Sequence, residues 1–323
     1  MKKTEGEDGF PIKDVGHDQL QERQISAYPP SQRENDQNDA QRIKMPFMLE
    51  PHIASNRKRP RVAVVKFASC DGCQLSILNL EDDLLALGDA IDIAYFPEAS
   101  SDLQAGPYDI TLVEGSITCP EDLPRILELR QHTTTLMTIG ACATSGGIQA
   151  LRNWSDIEAF KRAVYPNPEY IKSLSTSTPI SEHVKVDYEI WGCPIDKHQL
   201  LRVLTDLLQG VQPHIPTHSV CLDCKRQGHV CVLVAQGLPC LGPVTRTGCG
   251  AICPRMGRDC YGCFGPAEHD SAPPPGVPPN TASLANQFHQ HLQLIPVEIV
   301  RRFRGINGSV QPFQEESDAW ESP

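Results

Sequence analysis

Short apolar segments alternate with amphipathic segments between residues 61 and 212. This alternation predicts a parallel β-sheet covered by helices on both faces, a doubly wound α/β fold. Five segments have the length and apolar composition of buried strands. They are Val62–Phe67, Ile91–Phe96, Ile110–Val113, Leu136–Ile139 and Val186–Ile190.

Apolar residues at helical spacing lie between and after these strands. One predicted helix ends at Gly88, with a stripe formed by Ile77, Leu80, Leu84 and Leu87. A second stripe consists of Leu123, Ile126 and Leu127. The clearest helix follows the last strand, where Asp196 is placed to cap its start and Gly210 to end it. Its apolar face consists of Leu200, Val203, Leu204, Leu207 and Leu208.

The flanking regions lack such periodicity. Residues 1–60 are polar and contain the basic run Arg57-Lys58-Arg59, so we predict a disordered extension. Residues 213–270 hold little apolar material of their own, and we expect bound metal to stabilise them. For residues 271–323 we expect a proline-rich linker and a short helical tail over Leu284–Phe303.

Charge and composition exclude some classes of function. The chain of 323 residues has 29 Lys and Arg against 40 Asp and Glu, so its formal charge is −11. Such a balance argues against binding to nucleic acid or to an anionic membrane. We find neither a signal peptide nor a transmembrane segment, and expect a cytoplasmic protein whose cysteines are reduced.

Thirteen cysteines are the strongest chemical signal. Twelve of them sort into three groups of four, which suit tetrahedral metal or iron–sulfur sites, and Cys119 is left over. The first quartet is dispersed: Cys70, Cys73, Cys142 and Cys193. The second quartet is dense: Cys221, Cys224, Cys231 and Cys240. The third quartet follows directly: Cys249, Cys253, Cys260 and Cys263.

The first quartet follows three predicted strands, and carboxyl ends of parallel strands meet at one edge of a sheet. Neighbouring glycines, Gly72, Gly140 and Gly192, would let backbone N–H groups approach sulfur. A helix beginning near Gln74 would add its positive end. The alternative is a thioredoxin-like pair, Cys70 and Cys73, beside two ordinary buried thiols. For the two dense quartets, spacing alone leaves both iron–sulfur and zinc open.

Several motifs occur in one order along the chain. They are Cys70-Asp71-Gly72-Cys73, Glu114-Gly115, Gly140-Ala141-Cys142, Gly192-Cys193-Pro194, Pro239-Cys240-Leu241-Gly242-Pro243 and Cys260-Tyr261-Gly262-Cys263-Phe264-Gly265-Pro266. Over residues 61–267 the chain resembles the small subunit of [NiFe] hydrogenases. It is most similar to the delta subunit of cytoplasmic NAD(P)-linked hydrogenases and sulfhydrogenases.

The resemblance implies a flavodoxin-like domain over residues 61–212 and a small, irregular iron–sulfur domain over 213–270. It implies three [4Fe-4S] clusters, a proximal one on the first quartet, a distal one on the second and a medial one on the third. The expected function is electron transfer between the nickel–iron site of a large subunit and flavin- and NAD(P)-binding iron–sulfur diaphorase subunits. The alternatives are a hydrogenase serving another acceptor, such as a heterodisulfide reductase, and a zinc-stabilised interaction module.

Other residues have two interpretations each. Ser69 and Gly147 stand where oxygen-tolerant hydrogenases carry extra cysteines, so tolerance by that route is not expected. Cys119 is either a cluster neighbour or a free thiol, and His229 either a ligand or a solvent-facing histidine. Glu114 either contacts the large subunit or makes a structural hydrogen bond.

Overall fold

Five parallel strands form the centre of the molecule in a computed structural model that describes residues 59–268 and 280–321. The strands are β1 (Arg61–Lys66), β2 (Asp92–Tyr95), β3 (Tyr108–Glu114), β4 (Thr133–Ile139) and β5 (Tyr188–Ile190). Their order across the sheet is β2-β1-β3-β4-β5, with every neighbouring pair parallel. The expected doubly wound α/β sheet is confirmed, with the strand order of flavodoxin-like folds.

Seven α-helices belong to the sheet region and the segment that follows it. They are α1 (Gly72–Leu78), α2 (Asp82–Ala90), α3 (Asp122–Gln131), α4 (Gly140–Ser145), α5 (Ile157–Val164), α6 (Lys197–Leu208) and α7 (Val220–Arg226). Short 3-10 helices cover Ile148–Trp154, Pro168–Tyr170 and Ile180–Glu182. Five further helices follow: α8 (Val232–Gln236), α9 (Ile252–Arg255), α10 (Thr281–Leu292), α11 (Pro296–Phe303) and α12 (Gln311–Glu321).

Alternate residues of β1 supply two apolar cores, one on each face of the sheet. Val62 and Val64 pack with Leu200 of α6 on one face. Ala63 and Val65 pack with Ile126 of α3 on the other. Because successive side chains of a strand point to opposite faces, a strand buried on both sides needs an unbroken apolar run, as β1 has.

Two helix predictions have different outcomes. The Asp196 side chain accepts a hydrogen bond from the Gln199 N–H and caps α6, as expected. The single helix predicted before Gly88 is wrong, because the structure has two helices there, α1 and α2. Glu81 has a φ of 52° between them, and this positive φ lies outside the helical range and separates the two helices.

The three C-terminal helices pack on the cysteine-rich region. Phe288, Phe303 and Phe313, one from each of α10, α11 and α12, form an apolar core with Leu241 and Val244. The helical content after residue 280 is therefore larger than the short tail expected from the sequence. Residues 1–58 of the extension predicted over residues 1–60, and the proline-rich stretch, lie outside the described residues.

Candidate metal centres

The first quartet lies at the carboxyl edge of the sheet. Cys70 and Cys73 follow β1, Cys142 lies in α4 directly after β4, and Cys193 follows β5. The negative charges of Cys142 and Cys193 raise the pKa of Cys73, and those of Cys193 and Cys70 raise the pKa of Cys142. The structure therefore brings together the four cysteines that the strand pattern placed at this edge.

Burial dominates the chemistry of these thiols. Burial raises the pKa of the Cys142 thiol to about 11, and a hydrogen bond with Gln149 opposes the shift. Burial also raises the pKa of Cys73, and the negative charge of Glu114 raises it further. A thiolate in such surroundings needs a compensating positive charge, which a bound metal group supplies.

Two glycines leave room for sulfur. A Cβ atom added to Gly140 would lie 2.3 Å from the Cys73 Sγ, and one added to Gly147 would lie 2.8 Å from the Cys142 Sγ. Both glycines have positive φ angles, 84° and 63°. This close approach of backbone to thiols fits a cradle for a sulfur-ligated cluster.

Glu114, at the end of β3, is 1% exposed and joins the first quartet to the sheet. Its carboxylate accepts hydrogen bonds from the Cys73 backbone N–H at 3.1 Å and from the Gln74 Nε2 at 2.7 Å. Burial raises its pKa, and these two donors oppose the shift. Glu114 thus makes structural hydrogen bonds. The role of Gln74 could not be deduced from sequence, because β3 is distant along the chain.

The second quartet lines one apolar pocket. Its walls are Val220, Cys221, Cys224, Cys231, Val232, Leu233, Cys240, Gly242, Pro243 and Pro254. Cys224 and Cys240 are buried, whereas Cys231 is exposed. The backbone N–H groups of Gly242 and Cys260 approach the Cys240 Sγ at 3.4 and 3.3 Å. Such donors stabilise thiolate ligands.

The third quartet is drawn from α9 and the two loops beside it. Burial raises the pKa of Cys263 to about 12, with further increases from the negative charges of Cys249 and Cys253. Burial also raises the pKa of Cys260, which lies close to Cys263. These four cysteines therefore face one another as well.

Two contacts connect the quartets. Cys193 of the first quartet lies close enough to Cys263 of the third for its negative charge to raise the pKa of the Cys263 thiol. The Cys260 backbone N–H of the third quartet donates to the Cys240 Sγ of the second at 3.3 Å. The third quartet therefore lies between the first and the second, which differs from their order along the sequence.

The donor set and its spacing can be compared with two kinds of metal site. Within residues 59–268 and 280–321, no three His, Cys, Asp or Glu side chains converge closely enough to hold a single metal ion. A tetrahedral zinc site has Zn–S bonds of about 2.3 Å and needs such convergence. Cysteine ligands with backbone N–H groups directed at sulfur, as at Cys240, are typical of iron–sulfur clusters.

The remaining candidates lie outside these groups. The Cys119 thiol donates to the Lys172 carbonyl at 3.5 Å and pairs with the Thr118 hydroxyl at 3.8 Å. His229 is partly exposed and its Nε2 pairs with the Gln227 Oε1 at 2.9 Å. No described helix is long and apolar enough to cross a membrane.

Comparisons with known proteins agree with one another. A family model described as the NADH ubiquinone oxidoreductase 20 kDa subunit matches residues 70–207. Sulfhydrogenase 2 subunit delta of Pyrococcus furiosus is 38% identical over 213 residues, covering 66% of this chain and 89% of that relative. A subunit of the F420-non-reducing hydrogenase vhu of Methanocaldococcus jannaschii is 33% identical, covering 64% and 81%.

Two further matches involve NAD. The NAD-reducing hydrogenase HoxS subunit delta of Cupriavidus necator is 31% identical over 193 residues, covering 52% of this chain and 88% of that subunit. A solved NAD+-reducing [NiFe]-hydrogenase in the H2-reduced state is 30% identical, with a TM-score of 0.46, covering 49% of this chain and 96% of the matched chain.

Proposed function

Because this chain belongs to the small-subunit family of [NiFe] hydrogenases, we propose that it is the electron-relay subunit of a cytoplasmic hydrogenase with three [4Fe-4S] clusters. The clusters would be held by the first quartet (proximal), the third quartet (medial) and the second quartet (distal). A bound [4Fe-4S] cluster accepts and releases one electron at a time. The chain would comprise an N-terminal extension over residues 1–60, a flavodoxin-like domain over 61–212, a cysteine-rich domain over 213–270 and a C-terminal segment over 271–323.

The observation that carries this proposal is the spatial order of the quartets. Cys193 lies close to Cys263, and the Cys260 N–H donates a hydrogen bond to the Cys240 Sγ, so ligands of successive sites are neighbours. The first quartet would face the large subunit, and the exposed Cys231 brings the second quartet to the surface. Such an arrangement gives electrons an entry, a central step and an exit.

The protein itself would orient the clusters and exclude water from them. Cys73, Cys224, Cys240 and Cys260 are all buried. The Gly242 and Cys260 N–H groups would stabilise the negative charge on the Cys240 sulfur. Hydrogen and nicotinamide chemistry would reside on partner chains, a large subunit with the nickel–iron site and flavin-containing iron–sulfur diaphorase subunits.

A second acceptor is favoured by a different relative. The vhu hydrogenase subunit, at 33% identity, belongs to an F420-non-reducing enzyme, so the chain could instead serve another acceptor such as a heterodisulfide reductase. A zinc-stabilised interaction module is the third alternative, and its thiols would have to converge on single ions.

Anaerobic purification of the full chain with its native partners tests the proposal. We expect a hydrogenase large subunit and a flavin-containing subunit to co-purify, and hydrogen to reduce NAD+ or NADP+. Recovery of the large subunit with a different iron–sulfur partner and no nicotinamide activity would favour the second acceptor. Recovery without a large subunit would refute the relay function.

A further inference from the structure

Helix α11 places one arginine on the loop that carries Cys260. The Arg302 Nη1 lies 2.5 Å from the Asp259 Oδ2, and the two side chains are 22% and 8% exposed. The Arg302 guanidinium also lies 4.8 Å from the centre of the Tyr261 ring. Asp259 and Tyr261 flank Cys260 on either side, so Arg302 contacts both neighbours of this cysteine.

This loop forms the junction between the third and second quartets. Cys260 donates its N–H to the Cys240 Sγ at 3.3 Å, and its carbonyl accepts from the Leu241 N–H at 3.0 Å. Cys260 is 5% exposed and Cys240 is 7% exposed. Charges interact more strongly in such buried surroundings than in water. The Asp259 carboxylate is the negative side chain that directly precedes Cys260.

The negative charge of Asp259 lies next to a cluster ligand at this junction. The Asp259 carboxylate directly precedes Cys260, a ligand of the third quartet, and a negative charge in this position would disfavour the extra negative charge of a reduced cluster. Its effect depends on how well Arg302 compensates it.

We propose that Arg302 is a positioning residue which holds the Asp259 carboxylate, compensates its charge and thereby raises the reduction potential of the cluster on the third quartet. This inference rests on the relay function proposed above. Reduction of a cluster held there would add one electron from the neighbouring cluster, and no bond would be made or broken. Without Arg302, the carboxylate would stand uncompensated beside the electron and oppose its arrival.

Potentiometric titration followed by EPR, on the complex purified with its partners, tests this inference. Arg302→Gln should lower the midpoint potential of the cluster on the third quartet, and Asp259→Asn should raise it. The double variant should return close to the wild-type value, because both charges are then absent. Arg302→Lys keeps the charge and should also stay close to wild type.

Arg301→Gln is the matched control, since Arg301 is the exposed neighbour on the same helix and should not change any midpoint. If both Arg302→Gln and Asp259→Asn keep their iron and leave the midpoint potential of this cluster unchanged, the inference is wrong. The ion pair between Arg302 and Asp259 would then have only a structural role. If Arg302→Gln fails to bind iron, the direction of the Asp259→Asn shift decides. A wild-type chain without four-iron EPR signals would refute the proposed function instead.

Discussion

Asn307 connects the C-terminal segment to both the first and the third quartets, so its removal should weaken the whole assembly. This side chain is 1% exposed. Its Nδ2 donates to the Gly262 carbonyl at 2.7 Å, between Cys260 and Cys263. Its Oδ1 accepts from the Ser145 Oγ at 2.7 Å, three residues after Cys142.

The expected cost of Asn307→Ala follows from these partners. The Gly262 carbonyl keeps a second hydrogen bond from the Gly265 N–H at 3.0 Å. The single Ser145 hydroxyl proton can bond the Ala141 carbonyl at 2.7 Å instead. No buried polar group is therefore left without a partner. The variant loses the hydrogen bond to Gly262, its share of the Ser145 hydroxyl and some buried contact, so we expect the free energy of unfolding to fall by about 2 kcal/mol. For the region over residues 59–321, a loss of this size lowers the unfolding temperature by roughly 4–8 °C.

Thermal unfolding at one fixed scan rate, under anaerobic conditions, measures this change. Asn286→Ala is the matched control, because Asn286 is exposed on α10 of the same segment and should change stability by less than about 0.5 kcal/mol. Asn307→Asp should destabilise more than Asn307→Ala, since it directs a buried carboxylate at the Gly262 carbonyl. Equal unfolding temperatures for Asn307→Ala and Asn286→Ala would refute the reasoning.

Three further predictions concern single side chains. Cys119→Ser should leave the iron content unchanged, as measured by metal analysis, because this thiol contacts only a hydroxyl and a carbonyl in the described structure. Gly140→Ala should remove about four iron per chain, the content of one four-iron cluster, because its Cβ would lie 2.3 Å from the Cys73 Sγ. A hydrogen bond from Arg304 lowers the pKa of Glu321 below its ordinary 4.5. This contact therefore stabilises the protein above that pH and is lost as the pH falls through the lowered pKa, so hydrogen exchange of α12 should accelerate there in wild type but not in Glu321→Gln.

A different result would contradict each of these three predictions. Loss of iron in Cys119→Ser would make that thiol a ligand. Gly88 is the control for Gly140, since a Cβ there would meet nothing within 4 Å, and Gly88→Ala should keep all its iron. Equal iron contents in the two glycine variants would contradict the cradle. Identical acid-dependent exchange in wild type and Glu321→Gln would contradict the role of Arg304.

Local sequence patterns predicted the sheet well, for a physical reason. A strand buried on both faces needs a continuous apolar run, and β1 meets that demand at Val62–Val65 with a signal that does not depend on distant residues. The Asp196 cap is likewise local, since its acceptor and donor are three residues apart. The break between α1 and α2 was missed because apolar spacing continued across it, while Glu81 has a positive φ that its residue type does not indicate.

The candidate site was predictable in part. Cysteine spacing and strand ends indicated which thiols meet in the first quartet, because carboxyl ends of parallel strands converge. The position of the third quartet between the other two followed from resemblance and not from spacing. Contacts such as Arg302 with Asp259, or Asn307 with Gly262, join residues more than 40 positions apart, and no local pattern encodes them.

The most direct test of the relay function is the content of iron, acid-labile sulfide and zinc per chain, with EPR of the reduced protein purified anaerobically with its partners. Three four-iron clusters require about twelve iron and twelve sulfide, and the relay function predicts that result. About two zinc with only four iron would contradict it, because the second and third quartets would then be structural zinc sites and no three-step electron path would exist.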